Sequence, residues 1–274
     1  MILIGCSKND DGESDKPNNN GNEQPENPNE PKLPELPALP DPDDVCSVMD
    51  DLNFMAYCYE NFDVNKDGKV SVIEANAAKE IYTTSSKWVS VKGIERFPNI
   101  EILSLNGSSI TELDLRYNLK LKSLSCQDHQ LTTVLLPNTL TSIGGSAFSG
   151  CSSLTEINLP VSLTSIRESV FRGCSSLTEI NLPDNLIWIG ESAFESCSSL
   201  TEINLPANLT SIEESAFSGC SSLTKVTCHA LVPPKLNGFS DGTIENLYVP
   251  AESIQAYKDS SLWANNFKNI LPIE

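Results

Sequence analysis

The ten residues CSSLTEINLP occur three times without a change, at 151–160, 174–183 and 197–206, and a near-copy, CSSLTKVTCH, starts at Cys220. A fixed period of 23 residues excludes most folds at once. A unit this short cannot bury its apolar face alone, so the copies must stack as successive coils of a solenoid. Full periods begin at Leu136, Leu159, Leu182 and Leu205. In each, Leu154, Ile157 and Leu159 or their equivalents return at fixed offsets, with the alternation of a short strand over Ile157–Leu159. The strand motif extends past the clear copies, starting at Ile110, Leu131, Leu154, Leu177, Leu200, Leu223 and Ile244. One full coil separates each strand from the next. The expected sheet is therefore a single parallel one of about seven rungs.

Two further columns follow from the period. Phe148, Phe171, Phe194 and Phe217 are expected to stack as an aromatic spine. Cys151, Cys174, Cys197 and Cys220 share one register. Strands in a sheet lie ~4.8 Å apart with equivalent side chains pointing the same way, whereas a disulfide needs Cβ atoms ~3.8 Å apart and facing each other. Buried thiols are expected there, not bridges or a metal site. Cys46 and Cys58 are placed in the core of an N-terminal cap, with their pairing left open.

Ahead of the repeat, residues 63–74 read DVNKDGKVSVIE, which matches the calcium-loop pattern D-x-[DN]-x-[DN]-G-x5-E. Asp63, Asn65 and Asp67 offer side-chain oxygens, Lys69 its backbone carbonyl, Ser71 a water-mediated contact, and Glu74 a bidentate carboxylate. Gly68 permits the sharp turn, and Val70 points inward. The segments VMDDLNFMAYCYENF and SVIEANAAKEIY carry apolar residues at helical spacing on either side. The expectation is one structural Ca2+ in a small helical cap, an EF-hand-like loop without a second hand.

The chain carries 18 basic and 37 acidic residues, a formal charge of −19, which argues against nucleic acid as a partner. Residues 1–45 hold 11 of the acids, 3 lysines and 8 of the 17 prolines, a composition expected to stay unfolded as an extended tether. The opening MILIGCSKNDDGESD resembles the lipobox of bacterial lipoproteins. That resemblance implies acylation at Cys6, contact with a membrane through the lipid alone, and surface export from an outer membrane. Five residues precede Cys6, fewer than a complete signal peptide has, so a start further upstream is expected.

The repeat LPxxLTSIxxSAFxGCSSLTEIN is similar to the BspA-like leucine-rich repeat of bacterial surface proteins, over roughly Val89 to Glu274. FPNIEILSLNGSSITELDL is closer to a second, 21-residue type, in which Ser108 and His129 replace the usual asparagine. LYVPAESIQAYKDSSLWANNFKNILPI resembles the family's C-terminal ending, with a helix from about Glu252 and Trp263, Phe267 and Ile270 covering the last coil. The implied fold is an α/β-type leucine-rich repeat solenoid. Its parts are an anchor at 1–6, a tether at 7–45, a helical cap at 46–88, the solenoid at 89–250 and a cap at 251–274. The implied function is adhesion: a monomeric module that binds a protein, including host extracellular matrix proteins.

Catalysis has little to stand on in this sequence. His129 and His229 are the only histidines, and the many serines recur by repeat instead of converging with a base. The alternatives to adhesion are capture of glycan or substrate, and a structural spacer. The outward positions of the rungs read Glu112, Thr133, Glu156, Glu179, Glu202, Lys225 and Asn246, and beside them Asp114, Leu135, Asn158, Asn181, Asn204, Thr227 and Tyr248. An acidic track flanked by asparagines is the expected seat for a basic segment. Trp188, standing where other repeats have Ser142, Ser165 and Ser211, and Tyr248 are the exposed aromatics expected for sugar binding.

Overall fold

A computed structural model describes residues 33–83, 87–127, 130–240 and 242–274. Cys6, residues 7–32 of the expected tether, and His129 lie outside the described residues. The coils stack through three backbone columns. In the front column, Glu112–Asp114, Thr133–Leu135 and Glu156–Asn158 pair in parallel. Further along, Glu202–Leu205, Lys225–Cys228, Ile244–Val249 and Phe267–Pro272 do the same. A side column runs through Ser165–Ile166, Trp188–Ile189, Ser211–Ile212 and Lys235–Leu236. A back column starts with Glu80–Tyr82, Ile102–Ser104 and Ser123–Ser125.

The back column outlasts its strands. The N–H groups of Thr83, Leu105, Cys126, Phe148, Phe171, Phe194 and Phe217 donate in turn to the carbonyls of Ser104, Ser125, Ala147, Val170, Ala193, Ala216 and Phe239, at 2.6–3.0 Å. The fold is thus a parallel-strand leucine-rich repeat solenoid, as the period requires. The single sheet expected from sequence is its front column. The other two columns escaped that reading for a physical reason. LTSI holds only two paired residues per coil, too few to show alternation, and the back column passes through turns.

The core is a set of ladders. Phe148, Phe171, Phe194, Phe217 and Phe239 stack with ring centroids 5.7, 5.3, 5.2 and 4.5 Å apart, all fully buried. Offset stacking of this kind adds to the burial of each ring. The cysteine register has a specific task. The thiols of Cys151, Cys174, Cys197 and Cys220 donate to the carbonyls of Cys126, Phe148, Phe171 and Phe194 in the preceding coil, at 3.1–3.3 Å. Burial pushes the Cys126, Cys174 and Cys197 thiols well above their ordinary range, which keeps them protonated and able to donate. Serine and threonine hydroxyls extend the same device outside the core: Thr132, Thr155 and Thr210 donate to Thr111, Thr132 and Ile187 carbonyls one coil back.

Both ends carry short helices. At the N-terminal end a 3-10 turn, Val45–Val48, precedes α1 (Leu52–Phe62) and α2 (Val72–Ala77). Asp51 caps α1 through one carboxylate oxygen, on Asn53 and Phe54 N–H, and reaches Val89 and Ser90 N–H with the other. Burial raises its pKa, but these four donors win and hold it below the usual carboxylate range. At the C-terminal end, α3 (Ile254–Asp259) and α4 (Ser261–Asn266) lead into Phe267–Pro272, which joins the front column as one more rung. The Tyr257 hydroxyl and Trp263 indole donate to the carbonyls of Ala230 and Pro234, and both rings are buried.

Each clear coil turns through left-handed residues: Ser146, Ser169, Ser192 and Ser215 have φ of 54–58°, and Gly150, Gly173 and Gly219 have φ of 71–78°. Ser196 stands in the glycine register with φ 62°. An L-residue pays roughly 1–2 kcal/mol for that conformation. Ser196→Gly is therefore expected to raise stability by ~1 kcal/mol in a urea melt; an unchanged or lowered midpoint contradicts the left-handed assignment.

Candidate functional site

The loop at 63–74 is shaped by its own side chains. Asp63 accepts from the N–H groups of Asp67 (3.2 Å) and Gly68 (2.9 Å), and Asp67 from Lys69 N–H (2.9 Å). Lys66 and Gly68 take positive φ, 59° and 85°. Ser71 and Glu74 form a capping box at the start of α2. Glu74 is doubly occupied: one oxygen accepts from Val64 and Asn65 N–H, the other from the N–H and hydroxyl of Ser71. The Ser71 bonds hold its carboxyl below the usual range.

The donors are all oxygens, the chemistry a hard cation takes. Among the described residues, however, no three His, Cys, Asp or Glu side chains gather as a metal cluster. The loop's inner side is pinned by residues that the sequence leaves at the end of the tether. Val70 N–H donates to Asp44 (3.1 Å), Val45 N–H donates to Val70 O (2.9 Å), and the Tyr59 hydroxyl donates to Asp44 (2.6 Å). Asp44 and Val45 are buried. Asp44 looked like one more tether acid because nothing local marks it as a partner for a loop 26 residues away.

The outward front positions line up in the backbone register. Glu112 faces Thr133 and then Glu156, Lys225 stands between Glu202 and Asn246, and Asn246 faces Asn269. The neighbouring column runs Asp114, Leu135, Asn158, and later Asn204, Thr227, Tyr248, Leu271. Their environments are unequal. Glu202 is paired with Lys225 (3.0 Å), whose ammonium also lies 6.0 Å from the centre of the Tyr248 ring. Asp114 is held by Arg116 through two bonds, at 3.0 and 2.7 Å. Asn158 spends both ends of its amide on the backbone of Leu136 one coil back.

Glu156 and Glu179 are exposed and make no ion pair among the described residues. Between them the ladder opens. Glu179–Asn181 occupies the column position yet belongs to neither run of paired strands. A crevice of about 430 Å³ lies there, lined by Thr155–Leu159 and Glu179–Asn181. A second recess, about 390 Å³, lies beside Glu112 and Asp114, with Asp50 and Glu95 across from them.

Trp188 is half-buried on the side column, its indole N–H donating to Glu213 (3.2 Å). One structural residue was missed in the sequence. Asn118, in Leu113-x-Leu115-x-x-Asn118, is fully buried and donates to the carbonyls of Ile94 and Phe97, the task Ser108 and His129 suggested was abandoned. The Leu-x-Leu-x-x-Asn spacing was the available signal. No helix among the described residues is long and apolar enough to cross a membrane.

No curated protein matches the sequence. Among solved structures, a leucine-rich repeat protein of T. pallidum (TpLRR) aligns at 24% identity over 60% of this chain and 81% of its own, with a TM-score of 0.37. A leucine-rich repeat protein of Bacteroides ovatus aligns at 18% identity over 72% and 61%, TM-score 0.37. A leucine rich cell surface protein of Faecalibacterium prausnitzii aligns at 18% identity over 73% and 65%, TM-score 0.35. Residues 119–235, which take in the phenylalanine and cysteine ladders, the Glu156–Glu202 track and Trp188, match the family described as BspA type leucine rich repeat region, in six copies.

Proposed function

We propose that the chain is a cell-surface protein-binding module whose front column receives a basic segment of a partner protein, of the kind displayed by host extracellular matrix. Solenoids of this class serve generally as interaction scaffolds, because stacking yields one long regular surface. The observation that carries this reading is the crevice between Glu156 and Glu179, where two unpaired carboxylates flank backbone groups that no neighbouring strand uses. A lysine- or arginine-bearing extended segment would meet both needs. Lys225 already answers Glu202 in this way from inside the chain. Acylation at Cys6 would hold the module at an outer membrane, and a BspA-type repeat together with the surface assignment of the F. prausnitzii protein supports display outside the cell. The work is binding, with the ligand held by position and charge and no bond chemistry.

The test is surface plasmon resonance of the full chain against immobilised fibronectin, laminin and collagen, at low and high salt. Glu156→Gln, Glu179→Gln and Glu202→Gln together are expected to slow association roughly tenfold at low salt and to flatten its salt dependence. Unchanged association with unchanged salt dependence would place binding elsewhere.

The loop at 63–74 is proposed to take one Ca2+ through Asp63, Asn65, Asp67, Glu74, the Lys69 carbonyl and a water on Ser71. When bound, the ion would neutralise the loop carboxylates and tie α1 to α2. A ligand that prefers the native state raises the melting temperature by mass action. Saturating Ca2+ is expected to raise Tm in the wild type and not in Glu74→Gln, which keeps an oxygen for the capping box. A wild-type melt indifferent to both Ca2+ and chelator contradicts the site.

A further inference from the structure

One coil breaks the repeat on the side face. The outward pair before the buried isoleucine is Thr164-Ser165 in one coil and Thr210-Ser211 two coils on, but Ile187-Trp188 between them. Backbone register fixes the equivalence, since Trp188 pairs with Ser165 on one side and Ser211 on the other. Two hydroxyl positions have become an apolar ledge, and neither residue went into the core: Ile187 is 46% exposed and Trp188 half-buried, whereas Trp88 and Trp263 are buried.

The indole is held in place. Its N–H donates to Glu213 of the next coil, which also accepts from the Ser211 hydroxyl (3.2 Å) and the Asn237 amide. These donors, Trp188 foremost, hold the Glu213 carboxyl below the usual range, so it stays an acceptor. The six-membered ring lies over Gly190, where an added Cβ would come within 3.0 Å of it and 2.7 Å of the backbone at Arg167–Glu168. Beside the ledge runs a groove of about 320 Å³ between Ser162, Thr164, Asn185, Asn208 and Thr210.

The polar character of that groove is one-sided. Ser162 and Thr210 direct their hydroxyl hydrogens to carbonyls one coil back, and Asn185 and Asn208 donate to the carbonyls of Val161 and Asp184. Their donor capacity is largely spent inside the solenoid, so what they offer a ligand is mainly oxygen acceptors. An apolar ledge bordered by acceptors and one carboxylate suits a molecule with a flat apolar face and a rim of O–H donors, and disfavours an anion.

We propose that the side face at Ile187–Trp188 binds a neutral saccharide, one ring face on the indole and its hydroxyls donating to Asn185, Asn208 and Glu213. This is a second site, on a different column from the one proposed to bind protein. Trp188 is the tryptophan a ligand can reach, so its fluorescence reports directly on occupancy. The full chain would be titrated with xylotetraose, cellotetraose, maltotetraose and the N-acetylglucosamine tetramer, followed by fluorescence and calorimetry, with tetragalacturonate as the anionic control. At least one neutral tetramer is expected to bind with Kd on the order of 0.1–1 mM, and tetragalacturonate not to bind. Trp188→Ser, which installs the residue the adjacent coils carry, is expected to weaken binding about tenfold or more with an unchanged melt, and Trp188→Phe to fall between. The triple glutamine variant of the front column is expected to bind sugar as the wild type does. Silence of the wild type toward all four neutral tetramers at about 10 mM, a level that detects even weak sites, overturns the proposal. So does equal affinity in Trp188→Ser.

Discussion

Every surface on this protein depends on the hydrogen bond that each coil makes with the next along the back column. From Thr83 to Phe217 an N–H in one coil meets a carbonyl in the following one, and behind that line the phenylalanines stack from 148 to 239. The thiol bonds of the cysteine register tie the same coils a second time, from inside. A backbone bond contributes only about 1 kcal/mol net, but leaving its buried N–H unmet costs more than that. The stack therefore behaves as a set of nearest-neighbour contacts, each coil completing the one before it.

With the back so fixed, the other columns are at liberty to differ. The front column is continuous at both ends and open at Glu179–Asn181. The side column keeps its pairing straight through the same coils, since Ser165–Ile166 bonds to Trp188–Ile189 and that to Ser211–Ile212. The opening is thus local to the face that carries the glutamates. Conversely, the side face keeps an unbroken backbone and varies its side chains, exchanging Thr-Ser for Ile-Trp in one coil. Two modes of specialisation have been laid on one scaffold: a gap in the ladder on the front, an altered pair of residues on the side.

Period and register were legible in the sequence because a strictly repeated coil writes its core directly. The buried phenylalanines and cysteines, the outward glutamates and asparagines, and the partners of Trp188 in adjacent coils could all be placed by counting. Charge compensation could not. Lys225 opposite Glu202, Arg116 on Asp114 and the Asn158 amide on Leu136 depend on side-chain reach across coils, and a column of letters carries no such information. The cap was legible as far as its loop pattern. The hold of Asp44 and Val45 on Val70 was not, because an unrepeated segment has no second copy to reveal which of its residues are fixed.

Native-state hydrogen exchange tests most directly whether the back column carries the stack while the front stands open at one coil. Slowly exchanging amides mark bonds broken only in global opening, and fast ones mark groups without a partner. The amides of Cys126, Phe148, Phe171, Phe194 and Phe217 should form the most protected set in the chain, and those of Glu179, Ile180 and Asn181 should exchange far faster than Glu202–Asn204 in the next coil. Equal protection of Glu179–Asn181 and Glu202–Asn204, or fast exchange along the phenylalanine line, would contradict this division of labour.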